Sequence, residues 1–196
     1  MNLDIHQALG IISGLIAFFA LVPYFISVIK NKSRPHPISW AMWALMGVIS
    51  LGTYWGTGAR DTIYIAFVNF LNPLIVTFLS IKYWDWKKHF SRLEYTCFVL
   101  SIVSVVIWLC FQNPTAALTF NLIADLIAAI PTLIKTYKNP SSEDTKTWLL
   151  FVIANFLSLV AIQQWTYGIA LLPAYLFCFA FVVLILSLRK TNLKIP

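Results

Sequence analysis

Two stretches decide the reading of this chain: VPYFISVIKNKSRPHPISW, residues 22–40, and IPTLIKTYKNPSSEDTKTW, residues 130–148. A shift of 108 residues superposes them, and under it Ala20–Leu51 aligns without a gap on Ala128–Leu159. Nine positions are identical, among them Pro23/Pro131, Lys30/Lys138, Asn31/Asn139, Ser33/Ser141, Trp40/Trp148 and Ser50/Ser158. Apolar composition would pair Leu with Ile freely, but it would not reproduce Pro, Lys, Asn, Ser and Trp in order. The chain therefore contains a duplicated unit.

Working outward, the flanks of both stretches are membrane-like. Of 196 residues 60% are hydrophobic and only 11% charged, more apolar surface than one soluble core of this size hides. Seven runs approach the roughly 20 residues needed to cross about 30 Å of hydrocarbon: 8–29, 38–56, 62–81, 95–111, 115–137, 148–165 and 167–188. They are nearly continuous in Leu, Ile, Val, Phe and Ala, so they read as helices rather than as the alternating strands of a barrel. The net charge of +7 comes from basic residues scattered between the runs, which favours lipid headgroups over nucleic acid as the counterpart. The N-terminus has neither a basic start nor a small-residue cleavage pattern, so no removable signal is expected.

Charge asymmetry sets the expected orientation. Lys30, Lys32 and Arg34, Lys82, Lys87, Lys88 and Arg92, Lys135, Lys138 and Lys146, and Arg189, Lys190 and Lys194 fall on one side. That is thirteen of the fourteen basic residues, with Arg60 alone opposite. The positive-inside rule then puts the N-terminus outside and the C-terminus in the cytoplasm. Trp40, Trp84, Trp86 and Trp148 fall near the cytoplasmic ends and Trp55, Trp108 and Trp165 near the outer ends, as an aromatic belt requires. Cys97, Cys110 and Cys178 lie inside apolar runs and read as structural thiols, and His6, His36 and His89 as solvated surface residues without metal spacing. No phosphate loop, nucleophile elbow or paired intramembrane acids occur, so the chain does not read as an enzyme and implies no cofactor. Helix seven has no lysine, which argues against a retinal-binding photoreceptor.

Each copy of the repeat covers three helices, residues 1–91 and 114–196, and residues 92–113 form a linker helix. Three helices reverse direction, so an odd linker lets the second copy start in the same sense as the first. The expected fold is an all-α membrane protein of two parallel three-helix repeats, a plan in which transporters bind substrate between the halves.

The chain resembles the SWEET and PQ-loop superfamily of 3+1+3 membrane proteins, and most closely a group of short bacterial members with an ISWxxW signature. VPYFISVIKNKS followed by ISW matches the family's proline, basic stretch and serine-opened helix, with Tyr24 and, in the second copy, Thr132 where the family carries glutamine. The resemblance covers essentially the whole chain. It implies alternating access, with Pro23 and Pro131 as hinges and with a pocket to which Trp55 and Asn72 contribute. A merely packing-related kink is the alternative for the prolines, and an interfacial anchor is the alternative for Trp55.

The residues themselves add further candidates. Asp125 lies roughly 15 Å and 18 Å from the two ends of its span at 1.5 Å per residue. A carboxylate there costs at least about 2.5 kcal/mol, so it must face the bundle interior with a partner or a proton. Proton coupling is its expected role, against a structural interhelical bond. Asn121 lies one turn before it, and Asn69, Asn72 and Asn155 are further mid-depth amides for a substrate site. Trp43 would floor the cavity or pack against lipid. The expected function is transport of a small polar solute (sugar, amino acid or nucleoside-like), facilitated or proton-coupled, in a cell membrane such as a bacterial inner membrane. Partners are that solute and lipid, with a homo-oligomer compatible. The alternatives are a ligand-sensing or sorting receptor like the KDEL receptors of this fold, or a non-transporting membrane subunit.

Overall fold

A computed structural model describes residues 4–31, 37–83 and 92–189. The sequence readings that rest on Lys32, Arg34, His36, Trp84, Trp86, Lys87, Lys88, His89, Lys190 and Lys194 lie outside those residues, as does the Pro131 side chain. The described chain is all helical: α1 (Ile5–Ile29), α2 (Pro37–Gly56), α3 (Ile63–Ser80), α4 (Arg92–Phe111), α5 (Pro114–Lys138), α6 (Thr145–Val160) and α7 (Tyr167–Leu188), with 3-10 turns at Ile81–Tyr83 and Pro140–Ser142. Four stretches, Ile5–Ile26, Ile63–Ser80, Pro114–Lys138 and Tyr167–Leu188, are long and apolar enough to cross a membrane. The molecule is an α-helical membrane protein.

Local chemistry sets the ends. Asp144 starts α6 by accepting from the Lys146 and Thr147 amides, at 2.8 and 3.3 Å. Thr166 starts α7 by accepting from the Ile169 amide. The sixth span was expected to run to Trp165, but α6 stops at Val160 and residues 161–166 form a connecting turn. Gln163, Gln164 and the capping Thr166 are better served as loop, and Trp165 is exposed there. Both α1 and α5 continue through their prolines. Each proline can donate no hydrogen bond four residues back, to Phe19 in α1 and to Ile127 in α5.

The packing follows a pattern. Helix α3 packs against both α1 and α2, and α7 packs against both α5 and α6. Between these groups α1 meets α6 and α2 meets α5, while α4 lies on α5 and α2. Buried Tyr54, Ala59, Ala66, Leu118, Ile169 and Leu172 form an apolar plug at the end carrying the α2–α3 and α6–α7 loops. A second cluster joins Met42 and Met46 of α2 to Cys97 of α4 and Ala124 of α5. A third joins Ala17, Ile65, Val68 and Ala154 of α1, α3 and α6.

Helices in lipid associate through close backbone approach at small residues. At Gly47 a Cβ would lie 2.7 Å from Phe70 Cα and 2.9 Å from the Asn69 carbonyl oxygen. These are backbone atoms and cannot rotate away. Gly47→Ala is therefore expected to push α3 off α2 and to destabilise the protein by about 1–3 kcal/mol, the usual cost of overpacking, read as a lowered melting temperature in detergent micelles. An unchanged melting temperature would contradict the close packing.

A polar interior closed at one end

Polar side chains within the bundle link one helix to another. Tyr175 of α7 donates its hydroxyl to Asp125 Oδ2 of α5 at 2.6 Å. Asn121, one turn earlier on α5 and fully buried, donates through Nδ2 to the Met46 carbonyl and to Ser50 Oγ of α2, both at 2.8 Å. Asn72 of α3 donates to the Ala17 carbonyl of α1 at 3.2 Å. Asn155 of α6 donates to its own Phe151 carbonyl at 2.7 Å. Asn121 and Asp125 thus share a face of α5, as their spacing predicts, and Asp125 has the partner that its depth demands.

The duplication gives these bonds a register. Residues 17 and 125 are equivalent under the 108-residue shift. Each is where the third helix of its half sends a polar side chain to the first: Asn72 to Ala17, and Tyr175 to Asp125. Likewise residue 121 corresponds to Ser13, and Ser50 to Ser158. The α2–α5 seam carries the Asn121–Ser50 bond, whereas on the α1–α6 seam Ser13 and Ser158 are fully buried with no hydrogen-bond partner. A serine hydroxyl ends one bond nearer the backbone than an asparagine amide, which accounts for the missing link.

Aromatic residues line the end opposite the plug. Tyr175 stacks on Phe179 at 6.4 Å, and Phe179 meets Trp148 edge-on at 5.7 Å. Trp148 Nε1 donates to Glu143 at 3.1 Å. On α1 and α2, Tyr24 packs against Trp40 at 5.5 Å, and Trp40 against Trp43 at 5.0 Å. Beside Pro23, the Ala20 carbonyl accepts from Thr147 Oγ1 of α6 at 3.4 Å.

At the plugged end the fully buried Tyr54 hydroxyl donates to the Ile169 carbonyl at 2.8 Å and lies 2.6 Å from Thr62 Oγ1. Its single proton goes to the carbonyl, which can only accept, so Thr62 donates to Tyr54. One side chain thus ties α2 to the starts of α3 and α7. A cavity of about 180 Å³ sits above this tie, lined by Arg60, Asp61, Thr62, Gln163 and Gln164 among others.

Not every sequence candidate joins the interior. Trp55 is 52% exposed and carries the Arg60 guanidinium 3.6 Å above its ring, while Arg60 also donates to the Trp55 carbonyl at 2.9 Å. It stands at the rim of the closed end, away from the asparagines. Trp43 packs against the Met42, Met46, Cys97 and Ala124 cluster. Asn69 is half-buried, one turn before Asn72. Pro23 is exposed on α1. His6, expected in solvent, is half-buried with Nδ1 enclosed and without a hydrogen bond, and Cys97, Cys110 and Cys178 form no disulfide among the described residues. Tyr54 and Tyr175 went unread in the sequence. A tyrosine in an otherwise apolar span was the available signal, since a buried hydroxyl needs a partner.

Compared with protein-family models, curated proteins and solved structures, the chain gives no match in any of the three.

The unequal seams yield a test by exchange. Asn121→Ser removes the α5–α2 bond and is expected to destabilise the protein by about 1–2 kcal/mol, the usual range for interhelical hydrogen bonds in membranes. Ser13→Asn places the same amide opposite Ser158 and is expected to raise stability. Thermal unfolding of both variants in micelles checks this, and a destabilised Ser13→Asn beside a neutral Asn121→Ser would contradict it.

Proposed function

We propose that this protein is a membrane carrier for a small polar solute, built as two parallel three-helix repeats that rock about a site between them. In this reading all seven helices cross the membrane, with α4 as the linker, the N-terminus outside and the basic loops in the cytoplasm. The observation that carries it is the packing order. Exchange α1 with α5, α2 with α6 and α3 with α7, and the helix contacts map onto themselves: α1–α3 onto α5–α7, α2–α3 onto α6–α7, and α1–α6 onto α5–α2. Sequence duplication and spatial order thus agree, which supports the parallel arrangement and the resemblance to SWEET and PQ-loop proteins.

The side chains support a carrier closed to the outside. The Tyr54 tie and the apolar plug seal the end assigned outward. Asp125, Asn72, Asn121 and Asn155 lie at mid-depth below it, and the aromatic residues Trp40, Trp43 and Trp148 toward the cytoplasm. Asp125 is the one acid within the described helices well away from their ends, and it is the group through which a proton gradient would couple to flux. Pro23 and Pro131 occupy matching positions on the helices that would bend, and the Thr147 bond to Ala20 beside Pro23 joins the two halves at that level.

Counterflow in proteoliposomes tests the reading, with a panel of labelled sugars, amino acids, amines and nucleosides, and with and without an imposed proton gradient. Saturable exchange of at least one solute is expected, and Asp125→Asn is expected to abolish dependence on the gradient while exchange persists at higher solute concentration. No exchange across the panel would overturn the carrier reading and favour a receptor or subunit role.

A further inference from the structure

The carrier reading leaves the charge of the solute open, and the following inference rests on that reading. Three buried asparagines each direct Nδ2 to a backbone carbonyl: Asn72 to Ala17, Asn121 to Met46 and Asn155 to Phe151. A carbonyl can only accept, so the partner fixes which way each amide points. Each amide oxygen therefore faces elsewhere, and all three are enclosed with no donor in reach among the described residues. Buried acceptors of this kind call for a partner that the protein does not supply, an ordered water or the donor of a bound molecule.

The surroundings favour the same type of occupant. Asp125 contributes a carboxylate for which Tyr175 provides one donor. Tyr175, Phe179 and Trp148 follow as a continuous run of aromatic rings beside it. Every described basic side chain is exposed, so among the described residues no cation in the bundle balances these groups. Acceptor oxygens, a carboxylate and π faces all complement a positive, donor-rich group. A neutral sugar could donate to the amide oxygens but would bring no charge to balance Asp125, and an anion would be repelled by it.

We propose that the solute is an organic cation, bearing an ammonium or guanidinium group that sits between Asp125 and the Tyr175–Phe179–Trp148 aromatic run. In this arrangement Asp125 is the counter-charge of the solute, and Asn121, one turn before it on α5, offers its free amide oxygen as an acceptor.

The test is titration of the purified full-length protein in micelles, followed by tryptophan fluorescence and by thermal shift, with four probes: agmatine, choline, the neutral carbon isostere of choline, and glucose. Saturable binding of at least one cation is expected, with none for the two neutral probes. Asp125→Asn and, as a second variant, Phe179→Leu are each expected to weaken cation binding by about tenfold or more, the effect of losing one charged or cation–π contact. Their unliganded melting curves show whether either variant is simply misfolded. Binding of glucose or of the neutral isostere in place of the cations, binding of neither cation, or cation binding unchanged in both folded variants would each overturn the proposal. Counterflow separates it from the carrier reading. Glucose exchange without cation binding would sink the solute class and leave the carrier, whereas a cation that binds but does not exchange would sink the carrier and leave the solute class.

Discussion

A carboxylate at mid-membrane depth must have a partner, and the bond from Tyr175 to Asp125 is where this structure meets that requirement. The bond holds α7 to α5, the first and third helices of the second half. The equivalent place in the first half is held by Asn72 on the Ala17 carbonyl. Backbone groups in a bilayer are satisfied within their own helices, so side-chain bonds of this kind are what distinguish one helix packing from another. The apolar clusters fill the space between helices, but lipid tails are as apolar as they are and provide little net drive for association.

Under the 108-residue alignment the bonds fall at matching positions, and the residues there differ. Position 125 is an acid where its twin is Ala17, and position 121 is an amide where its twin is Ser13. Gly47 lets α3 approach α2 closely, while its twin Asn155 puts an amide at the corresponding place in the second half. The two seams are therefore bonded differently: α2–α5 through Asn121 on Met46 and Ser50, and α1–α6 through Thr147 on the Ala20 carbonyl, with the Ser13 and Ser158 hydroxyls unpartnered among the described residues.

Much of this was legible in the sequence. The all-helical class and the limits of six of the seven helices to within three residues follow from hydropathy and charge. The end of α6 did not, because Ala161 and Trp165 read as membrane residues while the turn is set by Thr166 capping the next helix. Asp125 and Asn121 were visible as polar residues out of place, but their partners were not. Tyr175 lies 50 residues from Asp125 and Met46 lies 75 from Asn121, and no local pattern encodes such pairings. Trp55 was drawn into the pocket by resemblance, yet neighbouring Arg60 holds it at the rim. The Tyr54 tie needs α2, α3 and α7 to be placed together before it exists at all.

In the proposed carrier two halves move about one site, so that opening one end closes the other. Electron–electron distance measurements on spin-label pairs test it most directly, one pair at Gly58 and Gln164 and one at Lys30 and Lys138, in the otherwise native protein and with Tyr54→Phe. Removing the Tyr54 hydroxyl releases Ile169 and Thr62 at the sealed end. The account predicts that the 58–164 distances lengthen and the 30–138 distances shorten together. Lengthening of the first pair with the second unchanged would mean that the Tyr54 end opens by itself, and it would contradict a carrier built from two rocking halves.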